Sequence, residues 1–155
     1  MYSIFVFTHS TLRWLVLAAI SYLLIRSCYG WLKNKPYTSA DNNVRLITLI
    51  IVHIQALLGI TLYAISPVIR YFLTHFKEAV HEKEFRFFGM EHSLMMIIAV
   101  TCISIGLIKS KKKATDKEKF KTIAIWLSIS LLIILTSIPW NVGEFTANRP
   151  LLRGF

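Results

Sequence analysis

Apolar residues along this chain fall in four blocks of about twenty, the length of helix that crosses a hydrocarbon core roughly 30 Å thick. The blocks run from Ile4 to Ile25, Leu46 to Ile65, Phe87 to Ile108 and Ile123 to Trp140. The connections between them, of about 20, 21 and 14 residues, are short enough to favour packing of chain neighbours. The pattern predicts one all-α domain over residues 1–155, an integral membrane four-helix up-and-down bundle. Tyr71, Phe72, Phe76, Phe85, Phe87 and Phe88 crowd the connection between spans 2 and 3. They predict an interfacial helix there, lying on the membrane with its apolar face down. Asn34 with Pro36, and Asp41 with Asn42 and Asn43, mark the turn region of the first connection. Asp116 and Glu118 suggest that the fourth helix starts before its apolar block.

Composition agrees with the pattern: 55% of the 155 residues are hydrophobic and the mean hydropathy is +0.55, above the range of ordinary soluble domains. The net charge of +10 would suit nucleic acid, but its placement reads as membrane topology. Arg26, Lys33, Lys35 and Arg45 lie between spans 1 and 2. Lys109, Lys111, Lys112, Lys113, Lys117, Lys119 and Lys121 lie between spans 3 and 4, so these two connections hold eleven of the 18 basic residues. The positive-inside rule places both in the cytoplasm and both termini outside, as expected for a bacterial inner (cytoplasmic) membrane protein. The run Lys109 to Lys113 also suits anionic membrane lipids. Met1 to Ser10 has no Lys or Arg, so no cleaved signal peptide is expected. Two cysteines, Cys28 and Cys102, give neither a disulfide framework nor a thiolate metal motif. No phosphate-binding loop, nucleic-acid motif or nucleophile signature occurs.

Polar side chains inside the apolar blocks are costly and point to function. Span 1 holds His9 and Arg13 on a stripe that continues to Val16 and Ile20. Span 2 holds His53 and Gln55; span 3 holds Glu91 and His92, with Met96 and Ala99 on the His92 stripe. His9 and His92 each lie about five residues, near 8 Å, inside the same face. Two imidazoles at one level on facing helices suit a ring-shaped metal cofactor with two axial ligands, and make His9 and His92 the candidate metal ligands. Arg13 leans toward that face and is expected to meet Glu91 or an acidic cofactor group. His53, near the midplane, suits either a ligand or an interhelical hydrogen bond. His75 and His81 read as solvated surface residues.

At these residues the chain resembles a family of small bacterial four-helix membrane proteins commonly labelled cytochrome b. The resemblance rests on His9-Ser-Thr-Leu-Arg-Trp14, His53-Ile-Gln55 with Gly59, and Glu91-His92 followed by Met95 and Met96. It extends to Pro139-Trp140 and to Arg149-Pro-Leu-Leu-Arg-Gly-Phe155. It implies haem b held by histidines on the spans, with His9, His53 and His92 as matching positions. Three intramembrane histidines cannot supply four axial ligands, so two bis-histidine haems are not expected.

The resulting expectation is a membrane b-type cytochrome or cytochrome-like subunit with one haem near the external face. It would pass electrons between quinol, or a larger respiratory or other membrane complex, and an external acceptor, as an electron-transfer protein rather than an independent catalyst. The alternative is a cofactor-free accessory or assembly subunit, which small size and the tail Arg149 to Phe155 also suit. A transport element built on His9, His53, Glu91 and His92 would need titratable groups below His53, and the spans hold none there.

Overall fold

A computed structural model describes residues 1–140; Asn141 and the tail Arg149 to Phe155 lie outside the described residues. The four long apolar segments are helices: α1 (Tyr2–Leu32), α2 (Ser39–Ile65), α6 (His92–Lys111) and α7 (Asp116–Ser137). Between α2 and α6 come three short helices, α3 (Pro67–Thr74), α4 (Phe76–Ala79) and α5 (Lys83–Arg86), and a π-helical turn at Phe87–Glu91 that joins α5 to α6. Four helices are thus long and apolar enough to cross a membrane.

α1 packs on α2 and α7, and α6 packs on the same two. Sequential neighbours therefore touch, and α1 faces α6 across the diagonal. The interior is built from residues at helical spacing: Val16, Ile20 and Leu23 of α1, Ala99, Ile103 and Leu107 of α6, and Ile123, Leu127 and Ile134 of α7, with Val52 of α2. The stripes of His9 and His92 run into this core, because Val16, Ile20 and Ala99 are all buried. Both histidines therefore look inward at the same end of the bundle, called here the histidine end. The other end, called the lysine end, carries nine of the eleven lysines.

The helices run farther than the apolar blocks at the lysine end. The expected turn at Asp41, Asn42 and Asn43 is instead the first turn of α2, because Thr38 and Asp41 form a capping box. The Thr38 hydroxyl accepts from the Asp41 N–H, and the Asp41 carboxylate accepts from the Thr38 N–H at 2.9 Å. The same device, Thr115 with Glu118, starts α7 at Asp116, ahead of its apolar block as expected. Each box satisfies two amide groups that a helix start otherwise leaves unpaired. The first connection shrinks to residues 33–38, where Asn34 takes a left-handed φ of 47°.

Asp41 also receives Arg26 of α1 at 2.7 and 3.0 Å, tying α1 to α2. Arg45, 6% exposed, donates to the Leu107 carbonyl of α6 at 3.1 Å and to Asn42. Two of the basic residues read as topology signals are thus also interhelical fasteners. Tyr37 packs its ring 5.0 Å from that of Phe120, and this burial pushes its phenol above the ordinary range.

Gly106 is the close-approach point of α6 and α7: a Cβ there would overlap the Cβ and Cγ of Trp126. Those atoms lie next to the α7 backbone and cannot swing away. Gly106→Ala should therefore lower stability by about 1–3 kcal/mol, the usual cost of overpacking. Thermal unfolding in detergent measures it, and an unchanged melting temperature would contradict the packing described.

At the histidine end, the connection expected to carry an interfacial helix contains the short helix α3. Its Ile69 and Phe72 are buried while Tyr71 and Leu73 remain exposed, and Phe72 sits against Gly89 of the π-helical turn. Tyr71 stacks on His75 at 4.6 Å and contacts Phe85 at 4.5 Å.

Candidate functional site

His92 follows a local irregularity. The π-helical turn inserts an extra residue per turn, so the His92 N–H bonds to the Phe87 carbonyl, five residues back. Such a turn rotates the following side chains relative to the preceding helix. It is held from outside, because the Tyr63 hydroxyl of α2 donates to the Gly89 carbonyl at 3.0 Å. Phe87 and Phe88 flank the imidazole at 5.7 and 6.3 Å between ring centres.

His92 Nδ1 lies 2.8 Å from the Ser137 carbonyl. A carbonyl only accepts, so Nδ1 carries the proton and Nε2 presents a lone pair. Ser137 is the last residue of α7, and its carbonyl has no partner within the helix. Pro139 contributes to this ending: it has no N–H to return to Leu135, and the indole N–H of Trp140 takes that carbonyl at 2.7 Å. The Pro-Trp pair thus shapes the helix end that fixes His92.

His9 lies against α2. Gln55 donates its amide to the His9 carbonyl at 2.9 Å and places the same nitrogen 3.4 Å from His9 Nε2. One turn farther on, Gly59 leaves room for the ring; a Cβ would sit 3.3 Å from His9 Cε1. Gln55 and Gly59, four residues apart on one face of α2, form a shelf for His9. His9 Nδ1 and Gln55 Oε1 are buried without a hydrogen-bond partner. Buried polar atoms are rarely left so, and a native site with such atoms invites an added group.

Arg13 lies one turn from His9, its guanidinium 5.4 Å from the Trp14 ring. His92 and Arg13 are within electrostatic reach of His9, and Arg13 is within reach of His92. The structure therefore brings His9, His92 and Arg13 together. It does not bring Glu91 or His53 to them. Glu91 pairs with Arg86 at 2.7 Å at the surface, because the π-helical turn aims it away from the bundle axis. His53 is level with Ser104 of α6, 3.4 Å away, which is twelve residues or about 18 Å of helix beyond His92. His53 and His92 cannot be axial ligands of one iron at that separation.

His9 and His92 thus stand on diagonal helices, and each keeps a nitrogen that makes little or no use of a protein partner. The Ser137 carbonyl behind His92 is a partner of the kind that orients histidines bound to metals in other proteins. Among the described residues no group of three or more His, Cys, Asp or Glu converges. Gln55, Gly59 and the Ser137 carbonyl escape a reading of the sequence for titratable groups. Gln55 stood out as a polar residue inside span 2, and Gly59 and Pro139 only through the family resemblance, but their contacts with His9 and the helix end behind His92 did not. No family model, curated protein or solved structure matches the chain.

Proposed function

We propose that this protein is a membrane b-type cytochrome or cytochrome-like subunit that holds one haem between His9 and His92 and transfers single electrons. The observation that carries the reading is the pair of inward imidazoles with the Ser137 carbonyl fixing the His92 tautomer. The resemblance to small four-helix proteins labelled cytochrome b points the same way. Bound there, haem would supply a one-electron couple with no open iron site, suited to electron transfer rather than oxygen chemistry. The chain does the rest. Gln55 and Gly59 hold the His9 ring, Ser137 holds the His92 ring, and Phe87 and Phe88 keep water from it. Arg13 would add a cation that favours the reduced state and would meet an acidic edge of the cofactor. Pyridine extraction of the purified protein should give one haem per chain; two per chain would contradict the reading.

The proposal includes orientation. The lysine end faces the cytoplasm of a bacterial inner membrane, and the histidine end and both termini face outward. Lys109 lies 5.4 Å from the Trp126 ring and Lys121 5.7 Å from that of Trp31, pairings that suit a headgroup interface. A reporter fused at Lys111 should be active only in the cytoplasm, and external activity would invert the bundle.

A further inference from the structure

We propose that the elbow between α2 and α3 is a binding site for one phospholipid, with its phosphodiester on Arg70 and an acyl chain along Ile65 and Leu73. The inference does not depend on haem. α2 ends at Ile65 and α3 begins at Pro67, so the chain turns at Ser66. Pro67 has no N–H to return to the Tyr63 carbonyl, which ends one helix and suits the first position of the next. The crook of this elbow holds an open hollow of about 540 Å³, a size that ligand sites commonly have. Tyr63, Ala64 and Ile65 of α2 form one wall, and Arg70, Leu73 and Thr74 of α3 contribute to the other.

Charge and depth define the occupant. Ile65 closes the second apolar block, so the turn at Ser66 lies at the edge of the hydrocarbon core, where lipid headgroups begin. Arg70 stands one turn farther along the chain and is exposed. No described carboxylate pairs with it, whereas Arg26, Arg86 and Lys119 each have one, and no Asp or Glu lines the hollow. A guanidinium so placed suits an anion, and its planar fork matches two oxygens of a phosphate. The apolar wall selects the source of that phosphate. Ile65 and Leu73 are 42% and 61% exposed; a free phosphate would leave them uncovered, and a lipid covers them with an acyl chain while its phosphate stays at Arg70. The elbow also bears on the histidine end. Tyr63 of its wall donates to the Gly89 carbonyl, and Phe72 of α3 packs against Gly89, three residues before His92. A lipid in the crook would brace the turn that positions His92.

The test is native mass spectrometry of the full chain in detergent, with dioleoyl phosphatidylcholine as the probe, because its zwitterionic headgroup brings no net charge to attract the lysine end. One lipid per chain should stay bound. Dioleoylglycerol, which has the same chains and no phosphate, should not stay, and inorganic phosphate should not displace the lipid. Arg70→Gln should lower retention about tenfold, the worth of one charge-assisted contact. Ala64→Trp, at an exposed position of α2, should fill the hollow and block the lipid with Arg70 still in place. Lys111→Gln should change nothing. Equal retention of dioleoylglycerol, displacement by inorganic phosphate, or unaltered retention in Arg70→Gln or Ala64→Trp would overturn the proposal. So would a loss in Lys111→Gln as large as that in Arg70→Gln, which would put the lipid at the other end. If Arg70→Gln does not fold, Ala64→Trp decides, because the fold tolerates substitution at such a surface position.

Discussion

His92→Ala should remove the six-coordinate haem spectrum altogether. The imidazole is the better oriented of the two proposed ligands, with Nδ1 tied to the Ser137 carbonyl at 2.8 Å and two flanking aromatic rings. Loss of an axial ligand opens the iron, so any haem retained should be five-coordinate and high-spin. Loss of the outer-shell carbonyl contact alone costs less, typically 10–100-fold in affinity for metal sites. His9→Ala should act in the same direction. His53→Ala should leave the spectrum six-coordinate, since about 18 Å of helix separates it from His92. Spectra of the three variants purified side by side check this ordering, and a six-coordinate spectrum in His92→Ala would remove His92 from the site.

The second large effect belongs to the lysine end. Asp41→Ala should destabilise the bundle by about 3 kcal/mol. Its carboxylate accepts two hydrogen bonds from Arg26 and one each from the Thr38 N–H and hydroxyl. Its side chain is 6% exposed, against 26% for Arg26. Breaking a buried pair by removing one partner costs about 3–5 kcal/mol. Partial hydration of Arg26 and its place 5.0 Å from the Phe120 ring reduce that figure, while loss of the capping box adds about 1 kcal/mol. Glu118→Ala removes the equivalent box at an exposed helix start and should cost only about 1 kcal/mol. Unfolding of the two variants in detergent separates fastener from cap; equal losses would contradict the role given to the Arg26–Asp41 pair.

Much of this architecture was legible in the apolar pattern, because a membrane span must bury a continuous apolar length and the stripes of Val16, Ile20 and Ala99 mark the inward faces. The inward orientation of His9 and His92 followed from those same stripes. Helix ends were harder. Asp41, Asn42 and Asn43 favour turns by composition, yet a capping box at Thr38 turns them into a helix start. The partner of Glu91 was harder still, because a π-helical turn has no reliable signature and redirects the carboxylate to Arg86. His53 was readable as polar and mid-depth, but its distance from His92 depends on the register of α2 against α6, which only the fold supplies. The carbonyl that fixes His92 is a backbone group and leaves no trace in residue identity.

The absorption spectrum of the full-length protein, purified in detergent from haem-replete cells and recorded before and after dithionite, tests the central claim most directly. Haem held by His9 and His92 predicts a sharp Soret band that shifts on reduction, with a split visible band of the low-spin bis-histidine type. A folded but colourless protein would contradict the haem reading, leaving the His9, Gln55 and His92 network to serve a cofactor-free subunit of a larger membrane complex.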